Sequence, residues 1–401
     1  MKLEKFYSSL FKIALPIILQ NMLMTLVNML DIIMIGQLGK NEVAATGLGN
    51  QVFFLLNMVL FGVSSGGSIF IAQYFGKKDL KGIKRTLGIM LTFSFIAAFI
   101  FSVGAVFFPS VLMHFYSDDN AVISIGIEYL RYVGLSYIFI AVSFPFQLAF
   151  RSTDHVILPT VTTAIAFLIN ALLNYLFIFG CGFIPAMGVK GAAIATVISR
   201  VIEFLILILW SYKKKFDICG NLKELFSFDG RALSNFFKVA LPVMINESLW
   251  GFGVTIQNTI YSHAGTDIIA AYNITGNISQ LTWVFFIGVG NAAGILIGHK
   301  IGEGSHDLAK AYAHRFAWFM PLSAVFLGLC LLPMSMALPY FFKVGPDVIE
   351  IAQRMLYVLV FFYPINSFNM FFIVGLCRSG GDTVYAAVND ICWMYLLAIP
   401  L

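Results

Sequence analysis

The chain is a succession of long uncharged stretches separated by short charged ones. No Asp, Glu, Lys or Arg occurs from Val43 to Gly76, Val156 to Val189, Ile268 to Gly298, Phe316 to Phe342 or Met355 to Cys377. Each run exceeds the roughly 18 apolar residues that mark a membrane-spanning helix. Backbone groups in hydrocarbon must be satisfied within the segment or in a closed barrel. The alternating ten-residue pattern of a barrel is absent, so the predicted class is all-α integral membrane. Helices are predicted near residues 11–35, 46–75, 87–113, 128–150, 157–180 and 188–211, then after a polar link at 212–235 near 236–262, 268–298, 313–338, 350–376 and 384–401. The last run is still apolar at Leu401, and the expectation is a chain truncated after its eleventh span, with a twelfth helix missing. No small-residue cleavage site follows the first apolar run, which is expected to remain as an uncleaved anchor.

Charge then sets the orientation. With the N-terminus in the cytoplasm, the inside segments hold Lys2, Lys5, Lys12, the cluster from Lys77 to Arg85, Arg151, the cluster from Lys213 to Lys238, Lys300, Lys310, Arg315 and Arg378. Outside fall Lys40, Arg131, Lys190, Lys343 and Arg354, and Arg200 lies within the sixth helix. That bias predicts a multi-pass protein of a bacterial-type inner (plasma) membrane, N-terminus cytoplasmic. Composition agrees. The chain is 59% hydrophobic and 11% charged, against about 25% charged in soluble proteins. The basic run Lys213–Lys215 reads as an inside anchor, not a nucleic-acid patch.

The chain repeats itself. Lys12-Ile-Ala-Leu-Pro16 falls on Lys238-Val-Ala-Leu-Pro242, and at the same offset Gly39 falls on Gly265, Ala44-Ala45 on Ala270-Ala271, Gly62-Val63 on Gly288-Val289, Gly76 on Gly302 and Lys84 on Lys310. Arg-Ser-Thr-Asp at 151–154 echoes Arg-Ser-Gly-Gly-Asp at 378–382 with one residue inserted. An even number of spans per repeat makes the repeats parallel, two six-helix bundles (6+6) about an axis along the membrane normal, with the substrate site expected between them. The predicted domains are an N-terminal lobe at 1–211, a cytoplasmic linker at 212–235 and a C-terminal lobe at 236–401 holding five helices.

Intramembrane acids are the sharpest chemical signal, because each costs about 2.5–3.5 kcal/mol at the bilayer centre unless it has a partner, a proton or a cavity. Asp31 closes a stripe of Gln20, Asn21, Thr25 and Asn28 on one arc of the first helix, which points to water or the interior. The competing reading is an acid at the outer helix end, salt-bridged to a neighbour. Glu247 lies mid-way along the seventh helix with Gly251, Val254 and Asn258 along its face and Trp250 beside it. It either faces an ion or ligand or pairs internally, with Arg200 as one choice. Arg200 and Glu203 stand at i, i+3 spacing and can pair as a structural or gating bridge. Asn170 and Asn174 on the fifth helix, and Asn273, Asn277 and Gln280 on the eighth, either line a cavity or bond across helices. Pro16 and Pro242 are expected to kink both helices, and paired interruptions point to a transport site. The small-residue patches at 62–67 and 288–294 favour close helix packing. The many Phe, Tyr, Trp and Met residues suit cations of varied shape, although much of the Phe faces lipid.

Enzyme signatures are absent. No Walker loop couples ATP. Five scattered Cys suggest neither disulfides nor a metal site, and the six His show no metal-ligand spacing.

These motifs together resemble the multidrug and toxic compound extrusion (MATE) family. They are the opening Ala-Leu-Pro-Ile-Ile-Leu-Gln, the Asp31 to Gly36 end of helix one, the Ala-Ala-x-Gly start of helix two and Gly66 to Gly76. Asn-Ala-Leu-Leu-Asn-Tyr-Leu-Phe-Ile-Phe-Gly in helix five, the second-half echo from Ala240 to Trp250 and on to Ile278, and the Arg-Ser-x-Gly-Asp loop after helix ten complete the set. The resemblance implies a twelve-helix, V-shaped antiporter with a central cavity that exports organic cations in exchange for protons or sodium, with no other cofactor. It implies cation-coupling roles for Asp31 and Glu247, with Asn170 as a polar partner. Asn174 is an amide where many members have a second acid, and helix ten offers only Asn366 and Asn369 in place of an acid. Expected partners are small organic cations and membrane lipid, no nucleic acid, the chain being a monomer. Two alternatives stand beside this reading. A lipid-linked saccharide flippase of the same superfamily would need several basic cavity residues, and only Arg200 lies well inside a helix. A membrane-embedded enzyme would need clustered His or Asp at the membrane face.

Overall fold

The computed structural model describes all residues except 1–2, 183, 264, 342–344 and 401, and the side chains of 3–5, 262, 266, 281, 340 and 341 are likewise outside the described residues. Lys2, Lys343 and Leu401 therefore lie outside them. The chain runs α1 (Leu3–Gly36), α2 (Lys40–Lys77), α3 (Leu80–Phe107), α4 (Pro109–Tyr116), α5 (Asn120–Val133), α6 (Ser136–Ser152), α7 (Ile157–Phe179), α8 (Gly188–Lys213), α9 (Leu222–Leu225), α10 (Gly230–His263), α11 (Thr266–Gly302), α12 (His306–Phe341) and α13 (Pro346–Met370). A π-helical segment (Phe371–Cys377) leads into α14 (Arg378–Gly380), and α15 (Thr383–Trp393) ends in a second one (Met394–Ala398).

Among the described residues nine helical stretches are long and apolar enough to cross a membrane, and ten when α5 and α6, bent by 52° to each other, count as one span. The eleventh predicted run is α15 with its π-helical continuation, 11 and 5 residues long. The helices outrun the apolar windows because nothing stops a helix where lipid ends. The third predicted helix, 87–113, is broken at Phe108, and Pro109 opens α4 from its first turn, where its missing N–H costs nothing. Acidic caps start several helices. Asp79 accepts from the Gly82 N–H at 3.0 Å, and Asp382 of the Arg-Ser-Gly-Gly-Asp motif accepts from the Tyr385 N–H at 3.2 Å. Each satisfies an orphan donor of a first turn.

The helices cluster into two compact units, one of Met1–Ile18 with Ile245–Leu401 and one of Leu19–Met244. The divisions fall at repeat-equivalent positions, two residues after Pro16 and Pro242, inside helices that run on without a break. Residues 1–18 thus cluster with the second repeat, and 212–244 with the first. Packing explains both. Phe6 sits edge-on to Tyr312 and Phe316, with centroids 5.2 and 5.0 Å away. Phe237 meets Phe93 at 4.7 Å, and Phe236 stacks on Phe70.

Glycines set the approach. A Cβ at Gly62 would lie 2.8 Å from Met244 Cα, one at Gly66 2.6 Å from Ala240 Cα, and one at Gly288 2.4 Å from Ile18 Cγ1. The patches 62–67 and 288–294 are helix-packing surfaces, as their small residues suggest. Gly62 is the equivalent of Gly288, and Met244 of Ile18. The second helix of each repeat therefore grips the first helix of the other.

Inside the polar link, α9 docks on α3. Leu225 is buried, and a Cβ at Gly88 would fall 1.8 Å from the Leu225 carbonyl oxygen. Glu224 accepts from the Asn221 N–H at 2.8 Å and from Lys84 Nζ at 3.1 Å. The Asn221 N–H first, and Lys84 second, hold its carboxyl below the ordinary 4.5.

Gly88→Ala is expected to push α9 off α3 and lower stability by about 1–3 kcal/mol, read as a lower Tm of the detergent-purified protein. An unchanged Tm refutes the close approach. Because the Glu224 carboxyl is depressed in the folded chain, its contribution is whole above 4.5 and is lost as pH falls through the folded value. Hydrogen exchange at the amides of 221–226 should accelerate across that acid range beyond its intrinsic pH dependence, and Glu224→Gln should abolish the extra acceleration.

Candidate functional site

Late in α1, Asp31 meets α7. Asn170 and Asn174 stand one turn apart on α7 and share a face. The Asn174 amide donates to the Asp31 carboxylate and to Asn170 Oδ1 at 3.1 Å. Asn170 in turn donates to Ser199 Oγ of α8 at 3.4 Å. Both amide hydrogens of Asn174 are used, while its own Oδ1 is buried and meets no donor among the described residues. Arg200 is the basic side chain whose charge acts on Asp31, yet its guanidinium is bonded elsewhere, to Glu203. Asp31 thus forms no ion pair among the described residues, is held from behind by an amide ladder, and remains partly exposed. Such a carboxylate can accept a proton or balance a small cation.

The rest of the polar stripe separates. Asn21 and Thr25 are half-buried, with the Thr25 hydroxyl donating to the Asn21 carbonyl at 3.1 Å, and Asn28 is exposed. Gln20, expected to line a cavity, is instead fully buried. Its Nε2 donates to Gln147 and Thr163, each at 3.0 Å, and its Oε1 accepts from Arg151 Nε at 3.1 Å and Nη2 at 2.7 Å. Gln147 and Thr163 also donate to Glu203, at 3.1 and 3.0 Å, which pairs with Arg200 at 2.9 Å. The helix periodicity groups Gln20 with Asp31, but side chains of α6 and α7 take up its amide. The Arg200–Glu203 bridge forms as its spacing suggests.

The second half builds a related cluster of different charge. Glu247 accepts from Arg378 Nη2 at 2.6 Å, so its internal partner is Arg378 rather than Arg200. Arg378, expected in a cytoplasmic loop, is 4% exposed. The neighbouring Asn246 donates from Nδ2 to Asp390 Oδ2 at 3.2 Å. Arg378 is the repeat counterpart of Arg151, and Asn246 that of Gln20, so in each half a motif arginine reaches the first helix four or five residues past its proline. Trp250 is 47% exposed. Asn258, Asn273, Asn277 and Gln280 are exposed too, while Thr275, Ser279 and Thr282 form the buried face of α11, with the Thr282 hydroxyl 2.8 Å from the Tyr363 hydroxyl. Sequence reasoning missed Arg151, Arg378 and Asp390. The duplicated Arg-Ser motif and a lone acid inside the last apolar run were the available signals.

Acids and arginines held inside a repeated, multi-pass helical body fit the class of membrane transporters. The family profile described as MatE matches the chain twice, over residues 16–176 and 242–401. The chain belongs to this family, multidrug and toxic compound extrusion, whose members are transporters and not enzymes. It is 25% identical to a protein named "Probable multidrug resistance protein YoeA" from Bacillus subtilis, over 96% of this chain and 84% of that one. It is 26% identical to a "Probable multidrug resistance protein NorM" from Thermotoga maritima, over 98% and 84%. Its fold matches a solved structure described as the outward-facing conformation of a multidrug resistance MATE family transporter, with a TM-score of 0.88 at 20% identity, covering 98% of this chain and 86% of that one.

Glu203→Ala leaves Arg200, Gln147 and Thr163 without their acceptor. The expected loss is about 3 kcal/mol, measured as a Tm decrease in detergent, with Glu203→Gln closer to wild type.

Proposed function

We propose that this protein exports small organic cations of varied structure, in exchange for protons or sodium, by alternating access between its two repeats. The two compact units, Met1–Ile18 with Ile245–Leu401 and Leu19–Met244, are read as the bodies that move. The relatives named as multidrug resistance proteins support the drug-efflux role. The observation that carries the coupling is Asp31, an acid in an apolar helix with an amide donor behind it and no ion pair among the described residues. A proton or sodium ion would supply the missing positive charge. The second cation-responsive site is the cluster that contains Glu247. Exposed polar and aromatic side chains, Asn28, Trp250, Asn258, Asn273, Asn277 and Gln280, suit contact with an amphipathic cation. The chain is read as a monomer in the inner membrane, with its N-terminus in the cytoplasm.

Antiport requires that drug and coupling ion oppose each other's binding, a coupling of about 1–3 kcal/mol or roughly 5–150-fold. Ethidium efflux from cells carrying Asp31→Asn should fall by about tenfold, with membrane abundance unchanged. Vesicles driven separately by a proton and a sodium gradient identify the ion. Normal export by Asp31→Asn and Glu247→Gln alike refutes the coupling assignment.

A further inference from the structure

The two halves solve the same electrostatic problem with different charges. In the first, Arg151 lies against neutral Gln20, and the acid of that network, Glu203, is paired with Arg200. In the second, Arg378 faces two acids. Glu247 of α10 is bound to it at 2.6 Å, and Asp390 of α15 has only the Asn246 amide, at 3.2 Å, among the described residues. Glu247 and Arg378 are the charged side chains that act on Asp390. One negative charge is therefore left over. Asn246 adds a second mark. It is 2% exposed, donates to Asp390, and turns a buried Oδ1 that meets no donor among the described residues. Rotating the amide would set its oxygen against the Asp390 carboxylate, so the open acceptor is a consequence of that bond. A surplus carboxylate beside an unused acceptor calls for a proton or a small monovalent cation. The repeat position equivalent to Asp31 is Gln257, so the second half has no acid there.

We propose that Asp390, rather than Glu247, is the charge-exchanging acid of the second half, and that Glu247, engaged by Arg378 in a salt bridge, is a positioning group while Asn246 and Asp390 receive the coupling cation. This rests on the antiport reading above and names the residue for its second site. Removing either acid leaves one acid for one arginine and abolishes the surplus.

The test uses the full-length purified transporter and a hydrophobic carbodiimide, which modifies protonated carboxylic acids in apolar surroundings, with peptide mapping by mass spectrometry. Label is expected on Asp390 and not on Glu247. A decrease with rising pH in sodium-free buffer identifies a proton as the occupant, and protection by sodium at fixed pH identifies that ion. Label on Glu247 with none on Asp390, or no label on Asp390 at any pH, overturns the proposal. In reconstituted vesicles Asp390→Asn should lose one coupling cation per exported substrate and Asp390→Glu should restore it, whereas unchanged stoichiometry in Asp390→Asn also overturns it. A wild-type protein that responds to neither gradient defeats the antiport reading instead, and the carbodiimide pattern still decides whether Asp390 is the exchangeable acid.

Discussion

An acid inside an apolar helical body must be given positive charge from somewhere, and most of this protein's polar architecture answers that demand. Glu203 has Arg200 and two neutral donors. Glu247 has Arg378. Both are settled by the protein itself, and a settled ion pair has no need of an ion from outside. Asp31 and Asp390 differ. Each is held by a single amide, and neither has a salt bridge among the described residues. In the antiport proposed above, this contrast between paired and unpaired acids would separate structural charge from exchangeable charge.

The geometry that permits this comes from glycine. Gly62 and Gly66 bring α2 against α10, and Gly288 brings α11 against α1, at distances no larger residue allows. The first helix of each repeat is thereby drawn beside the second helix of the other just at its proline. A few residues further along stand Gln20, Asn246 and Glu247, where the motif arginines arrive. The π-helical segment from Phe371 to Cys377 runs directly into Arg378. Such insertions often accompany functional positions, because the extra residue rotates the downstream side chains about the helix axis. Close packing and charge pairing therefore recur in both halves, which differ in which side chains carry charge and in the π-helical lead into Arg378.

Duplication allowed that variation. The same scaffold positions hold Gln20 and Asn246, Arg151 and Arg378, Asp31 and Gln257. One half has an acid without an ion pair among the described residues late in the first helix, and the other has one on α15.

Much was legible in the chain alone. Uncharged runs long enough to span lipid determine the helices, because unsatisfied backbone groups are intolerable there. The repeat determines the pairing of the halves, and Asp31 and the Arg200–Glu203 pair stood out as charges where charge is costly. What the sequence could not decide is which polar residues are already spoken for. Gln20 lies on the stripe of Asp31 and is bonded by side chains of two other helices. Arg378 comes directly after the last apolar residue of its span and is buried, while Asn273, Asn277 and Gln280 share a face that the packing leaves exposed. Helical periodicity states which residues share a face. Only the tertiary contacts state what that face meets, since a partner more than a hundred positions away leaves no local trace in the chain.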